Sequence, residues 1–388
     1  MARRGLNRRV LTFALLCLVS LTADITYEGA RSVVGPYLEV LGASAIAAGL
    51  LTLGDLLGYV ARLASGVWAS KRGGSRTLWL LTIGGYAINL FSVPPLALAK
   101  SWQQVLGLVV AERVGKGLRT PTRDVVLAEV AESIGRGKGF GVHEVADQVG
   151  AIVGPAVVSA IASLAGIRSA FLALAIPAAV SMLLVVSAFA AYPRIESVER
   201  ASGRVSIGSI LATPRFSRFL IATALLGLGF VPWSVLSYAG ASYGLSVGSL
   251  ALAYSLAMAV DAAVALPAGW LYDKLGPRVM ALAPAACLAA PIAILGRSLP
   301  SVFACAASWG ACMGVMESVF RAAVAEMVEP SARPAAYGLA YFVFGASWLA
   351  CGLYSGYLIQ SIPGCLPIAT STLLALSIAI YASCGGRK

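Results

Sequence analysis

Apolar runs long enough to cross a bilayer follow one another along almost the whole chain. They centre near Val19, Leu56, Ala87, Val110, Val153, Ala179, Leu226, Met258, Leu288, Gly310, Ser347 and Leu374. A spanning helix takes about 20 apolar residues, because the hydrocarbon core is about 30 Å thick and a helix rises about 1.5 Å per residue. Twelve runs in 388 residues leave room only for short connections. Charged residues make up 12% and hydrophobic ones 59%, against about 25% charged in soluble domains. Disorder, collagen-like repeats and a secreted disulfide scaffold are excluded on composition. No alternating ten-residue pattern suggests a membrane barrel. The expected fold is an all-α polytopic membrane protein of twelve transmembrane helices in two six-helix, pseudo-symmetric bundles.

The excess of 29 Lys and Arg over 17 Asp and Glu reads as loop charge rather than as a nucleic-acid footprint. No base-reading module or zinc spacing accompanies it. Of the basic residues on loops, only Lys100, Arg168 and Arg297 fall on one side of the twelve runs. The other side holds the rest, from Arg3 to Lys388. Positive residues collect in the cytoplasm, so both termini are expected there, in a cell membrane. The opening MARRGLNRRVLTFALLCLVSL resembles a signal peptide, but its apolar run continues into Asp24, Tyr27 and Glu28 and reads as a retained first helix. The seven cysteines show no paired spacing and read as free packing thiols, not metal ligands.

The longest polar stretch, 192–218, separates the sixth run from the seventh. It divides the chain into a first bundle (1–191), a cytoplasmic linker (192–216), possible site of a short surface helix, and a second bundle (217–388). The halves repeat at an offset of 197: Ala128, Glu129, Glu132, Arg136 and Gly141 match Ala325, Glu326, Glu329, Arg333 and Gly338. Each copy joins the fourth run of its half to the fifth. Such parallel repeats are an architecture of secondary transporters.

After the eighth run stands Gly269-Trp-Leu-Tyr-Asp273-Lys274-Leu-Gly276-Pro-Arg278. It resembles the G-x-x-x-D-[RK]-x-G-x-[RK] signature of the major facilitator superfamily. The first-half copy, Gly66-Val-Trp-Ala-Ser70-Lys71-Arg72-Gly73, has serine in place of the acid. The resemblance implies that these loops latch one face of a transporter, with Gly269 allowing close helix approach, Gly276 a tight turn and Asp273 a salt bridge or cap. The fifth run carries Gly141, Gly150, Gly154 and Pro155, similar to the glycine-proline motif of drug–proton antiporters in that superfamily. Val158 and Ser159 replace the glycines that usually follow. In the fourth run, Arg113-Val-Gly-Lys116-Gly117 resembles the R-x-x-Q-G motif of the same branch. The resemblance spans the chain at the level of architecture and implies the major facilitator fold.

Independently of family, the first half places costly charges inside its apolar runs. Asp24, Glu28 and Arg31 are spaced by four and three. Asp55 and Arg62 are seven apart. Glu112, Arg113, Lys116, Arg119, Arg123 and Asp124 crowd the fourth run, with Arg119, Arg123 and Asp124 near its cytoplasmic edge. Glu144 and Asp147 are three apart in the fifth. Helical spacing puts each set on one face, and the faces are expected to converge. Either these pairs only hold helices together, or they form a proton relay or polar solute site, since a carboxylate in low dielectric can exchange protons near neutral pH. His143 reads either as a relay partner or as an incidental loop-edge residue. In the second half the candidate cavity residues are Phe230, Trp233, Asp261, Glu317, Arg321 and Tyr341. Aromatic residues there suit an amphiphilic solute if they line a cavity, and core packing if they do not.

The function these features imply is secondary transport of a small organic solute by alternating access, as proton-coupled export, with Asp147 and Glu144 as proton carriers and Arg113 as a modulating cation. Proton symport or facilitative uptake is the rival, and a non-transporting membrane receptor a more distant one. No cofactor, metal, nucleic-acid partner or enzymatic triad is implied; the expected partners are a small solute, protons and the lipid bilayer, and the expected state is a monomer.

Overall fold

The computed structural model describes residues 2–71, 74–195, 213–329 and 332–384. The linker beyond 195, with any surface helix in it, and Arg72 and Gly73 lie outside the described residues. So do the side chains of Ser70 and Lys71. All described regular structure is helical. The first half runs α1 (Ala2–Val40), α2 (Ala45–Leu50), α3 (Thr52–Lys71), α4 (Ser75–Phe91), α5 (Trp102–Val130), α6 (Arg136–Ala165), α7 (Ile167–Ala173) and α8 (Ala175–Ala191). The second half runs α9 (Pro214–Gly229), α10 (Trp233–Ser242), α11 (Val247–Leu275), α12 (Leu282–Cys287), α13 (Ala290–Ala293), α14 (Leu299–Met327), α15 (Arg333–Ser361) and α16 (Cys365–Ser383).

By length and composition, 10 stretches of the described residues can cross a membrane. α5 is 29 residues long but too charged to be among them. The stretch Val247–Gly296, at 50 residues, is longer than one crossing requires. All seven cysteines are free, and only Cys365 is exposed.

Close contacts group the chain into two units. One comprises Met1–Arg31 and Leu57–Ser202, the other Ser32–Leu56 and Gly203–Lys388. The end of α1, with α2, therefore packs against helices of the second half, where the backbones of Gly49 and Gly352 meet.

In the first unit α1 lies against α6. A side chain on Gly150 would strike the carbonyl of Leu21, and one on Gly154 would come within 2.5 Å of the carbonyl of Ile25. These two glycines of the fifth-run motif bring the backbones together, and α6 continues unbroken through Pro155. Gly141 has open space around it and takes no part in the seam. The start of the 192–216 segment is fixed to this unit. The indole of Trp79 donates to the carbonyl of Tyr192 at 3.1 Å. The Ile195 amide donates to Ser75 Oγ at 2.7 Å.

In the second unit the chain leaves helical geometry between α9 and α10, where Phe230 ends one helix and Pro232 caps the next. Helix ends leave carbonyls without intrahelical partners. Side chains from other helices fill that need: Tyr354 donates to the Leu228 carbonyl, Trp348 to that of Phe230 at 2.7 Å, and Trp309 to that of Val231 at 3.1 Å. Their rings stack. The Phe230 ring centroid lies 5.2 Å from Trp309 and 5.7 Å from Trp348. Trp233 and Tyr254 close the cluster on Trp309 at 5.9 and 5.8 Å.

Candidate functional site

The first unit gathers charge from α1, α5 and α6 into its interior, with the polar Tyr86 and Asn89 of α4 among them. On α1, Asp24 and Glu28 are buried, one turn apart. On α5, Glu112, Arg113 and Arg119 are buried. Glu28 takes the Arg31 guanidinium at 3.7 Å and the Lys116 ammonium at 3.6 Å. Glu112 Oε1 accepts from the Asn89 amide at 2.6 Å, and its other oxygen pairs with Arg113 at 3.2 Å. Arg123 pairs with Asp124 at 2.7 Å, with Arg62 in electrostatic reach of the same carboxylate.

Aromatic rings complete the arrangement. The Lys116 ammonium sits 3.9 Å from the centroid of the Tyr27 ring. The Arg119 guanidinium sits 4.1 Å from that of Tyr86 and 5.7 Å from that of Tyr27. Cation–π attraction of this kind strengthens when water is excluded.

On α6 the inward face is carried by His143 and Asp147. His143 is 3% exposed, with Nε2 at 3.4 Å from Ser20 Oγ and 3.9 Å from Asp147. Arg123 also donates to Ser20 Oγ, at 3.3 Å. Asp24 lies within electrostatic reach of Asp147, Lys116, Glu28 and Arg119. Several buried polar atoms here make no hydrogen bond among the described residues: Asp24 Oδ1, Asp147 Oδ1, Gln148 Oε1, His143 Nδ1, Tyr86 OH and Arg119 Nε.

Most of the charged residues singled out in the sequence therefore meet in one unit: Asp24, Glu28, Arg31, Arg62, Glu112, Arg113 and Asp147. Glu144 does not join the inward face; it is exposed, while its neighbour His143 is buried. A spacing of three and a spacing of four both keep residues on one helical side, and the contact with α1 selects the 143–147 pair. His143 is accordingly a buried helix residue, not a loop-edge one. Asp55, in the first turn of α3, is half-buried and falls in the segment that clusters with the second unit. Sequence reasoning passed over Asn89, Tyr86 and Ser20. The visible signal was Asn89, an amide inside an apolar run.

In the second half, Phe230 and Trp233 are packing residues rather than cavity lining. Both are buried, and the Trp233 indole donates to the Ser32 carbonyl at 3.2 Å. Asp261 is buried, with its backbone carbonyl against Gly314. Glu317 and Arg321 are exposed on α14. Tyr341 is half-buried, 5.2 Å from the Phe320 ring.

The loop signatures behave unequally. Gly276 adopts φ +65° and ends α11, as the signature requires. Gly269 has nothing within 4 Å of the position its side chain would take, and Gly66 meets Pro121 only at 3.8 Å. Neither brings helices closer than ordinary contact. Asp273 and Arg278 are exposed, and Lys274 lies 3.4 Å from the Trp270 ring centroid. The acid that gathers partners is Glu326, which accepts from Tyr272 at 2.7 Å and from Arg215 at 3.2 Å. Its repeat-equivalent, Glu129, accepts from Tyr192 at 2.6 Å. Burial and that bond push the Tyr192 phenol up to about 12, so it remains a donor at physiological pH. Alanine at Gly269 should therefore leave the thermal midpoint of purified protein unchanged. Alanine at Gly276 should cost about 1 kcal/mol, because L-residues resist positive φ. Equal shifts for the two would contradict this assignment.

Comparison with known proteins agrees with this architecture. The family model described as Major Facilitator Superfamily matches residues 16–239 and 227–384. An uncharacterised protein of Mycobacterium tuberculosis is 34% identical over 371 residues, covering 94% of this chain and 88% of its own. Among solved structures, a variant of the nucleoside transporter NupG is similar with a TM-score of 0.78 at 15% identity, over 95% of this chain and 99% of that one. A POT family transporter is similar with a TM-score of 0.72 at 15% identity, over 95% and 94%. With the family model spanning nearly the full length of an all-helical membrane chain, the protein belongs to the Major Facilitator Superfamily.

Proposed function

We propose that this chain is a secondary transporter that crosses the cell membrane twelve times, with both termini cytoplasmic, and exports a small organic solute in exchange for protons. α5 counts as a crossing despite its charges, and Val247–Gly296 as two. The observation that carries the reading is the pair of acids Asp24 and Asp147 on facing helices of the first unit, each with a buried oxygen that makes no hydrogen bond among the described residues. Ionisable residues inside membrane helices are costly and mark proton or substrate paths. Here the two acids neighbour a network whose other carboxylates, Glu28, Glu112 and Asp124, are held by cations. The Gly150 and Gly154 seam keeps α1 and α6 at a fixed close distance, so protonation at Asp24 is felt directly by Asp147. Exchange follows if solute and proton compete for these carboxylates and each occupant favours a different access state. That the similar solved structures include a nucleoside transporter and a POT family transporter supports solute transport on this fold, without specifying the solute.

The test is flux in proteoliposomes under an imposed pH gradient, for a solute found by screening. Asp24→Asn and Asp147→Asn should each reduce gradient-driven flux at least about tenfold, with solute–solute exchange measurable only at raised solute concentration, since the solute occupies the same carboxylates. Glu144→Gln should behave as wild type. Gradient-driven flux surviving in both Asp variants and in their double variant would sink the assignment of the coupling site. Wild-type flux indifferent to the gradient would sink proton coupling.

A further inference from the structure

The transport reading leaves the solute open, and the charge pairing inside the first unit narrows it. Glu112 is held by Asn89 and Arg113, Asp124 by Arg123, and Glu28 by Arg31 and Lys116. Two buried ionisable residues, one basic and one acidic, are left out of this pairing. Arg119 is 2% exposed, with its guanidinium over the Tyr86 and Tyr27 rings; among the described residues its Nε makes no hydrogen bond and no carboxylate forms an ion pair with it. Asp24 is 5% exposed, has a bare Oδ1 and forms no ion pair among the described residues. A ring face compensates a buried guanidinium far less than an anion does. The two orphans feel one another electrostatically yet do not close into a salt bridge. Between them in sequence lies Tyr27, one turn beyond Asp24 on α1, with its ring against Lys116 and near Arg119.

The geometry points to a zwitterionic solute of amino-acid type, whose carboxylate is seated by Arg119 and whose cationic nitrogen is seated by Asp24. This rests on the transport reading above and deepens it. Lys116, three residues before Arg119 on α5 and about one-third exposed along its side chain, gives the carboxylate a second cation. Asp147 and Gln148, with bare oxygens on α6, give the nitrogen further acceptors. A purely anionic solute would leave Asp24 and Asp147 unmatched, and a purely cationic one would leave Arg119 alone. The cationic nitrogen would also occupy the carboxylate that the proton uses, which is the competition that exchange requires.

The experiment is calorimetric titration of the purified full-length protein with the standard free amino acids. Each amino acid that binds is then compared with its decarboxylated amine and its deaminated acid. Since hydrogen bonds to charged groups are the stronger class, each half-molecule should bind at least about 10-fold more weakly than the intact amino acid. Arg119→Gln should reduce the amino acid to the affinity of its amine, and Asp24→Asn to that of its acid. Arg119→Lys, which keeps the charge, should retain intermediate affinity and guards against loss of fold. Binding of the deaminated acid or the amine as tightly as the amino acid would overturn the inference. So would unchanged affinity in monodisperse Arg119→Gln, or no binding by any amino acid. If those negative results came with intact pH-driven flux of some other solute, the zwitterion inference would fail while proton-coupled transport stood.

Discussion

Leucine at Gly150 or Gly154 should prevent the first unit from assembling. At each position the first side-chain carbon already meets a backbone carbonyl of α1, that of Leu21 or of Ile25. Backbone cannot rotate aside as a side chain can, so the helices must separate. Overpacking commonly costs 1–3 kcal/mol, and a collision with backbone belongs at or beyond the upper end, about 3 kcal/mol or more. Separation also removes contacts that are hard to replace, because lipid offers little hydrophobic drive for helix association and close packing carries it instead. The thermal midpoint and the monodisperse fraction in detergent should both fall sharply. Gly141→Leu is the internal control: it belongs to the same motif but faces open space, and it should behave as wild type. A wild-type midpoint for Gly150→Leu would mean that α1 and α6 do not meet along this seam.

The second large effect is expected at Trp309 of α14. Its side chain is fully buried, stacks on Phe230 and donates to the Val231 carbonyl where α9 gives way to α10. Truncation to alanine removes the ring from the centre of the aromatic cluster and strands that carbonyl. Large aromatic truncations in cores cost about 3–5 kcal/mol, and an unsatisfied buried carbonyl accounts for about 1–3 kcal/mol of such losses. Trp309→Phe separates the two contributions, since it keeps most of the stacking and loses only the donor. The midpoint should fall most for alanine and by a smaller, measurable step for phenylalanine. If phenylalanine matched wild type, the hydrogen bond to the interrupted helix would have no energetic role.

The helical runs were legible because bilayer thickness imposes a length and a polarity that no soluble pattern shares. The Gly150 and Gly154 contact was legible too: small residues at a spacing of four on an apolar helix have few other uses. What the sequence left undetermined was direction. Glu144 and Asp147 fit one side of α6 as well as His143 and Asp147 do, and only the position of α1 chooses between them. Phe230 and Trp233 left both a cavity and a core open. The break at 230–232 decides for the core, because its freed carbonyls draw in Trp309 and Trp348. The loop signature pointed to Asp273, whereas the partners gather on Glu326. That residue was visible only as half of a repeat, since its bonds join segments far apart in sequence.

The charge carried by α5 has a consequence for how the protein is made. Each ionised residue at the centre of an isolated helix adds about 2.5–3.5 kcal/mol to the free energy of entering the bilayer. Glu112, Arg113, Lys116, Arg119, Arg123 and Asp124 all lie on this one helix. Alone, such a segment would not partition into lipid. By the time it emerges from the ribosome, however, α1 and α4 have already been synthesised, and they hold Tyr27, Glu28, Tyr86 and Asn89, which contact its charges in the finished structure. On the proposed reading in which α5 crosses the bilayer, its insertion depends on earlier helices waiting beside the translocon. A substitution in α1 or α4 that weakens those contacts should act during biogenesis, by letting α5 slip out of the membrane before the remaining helices arrive.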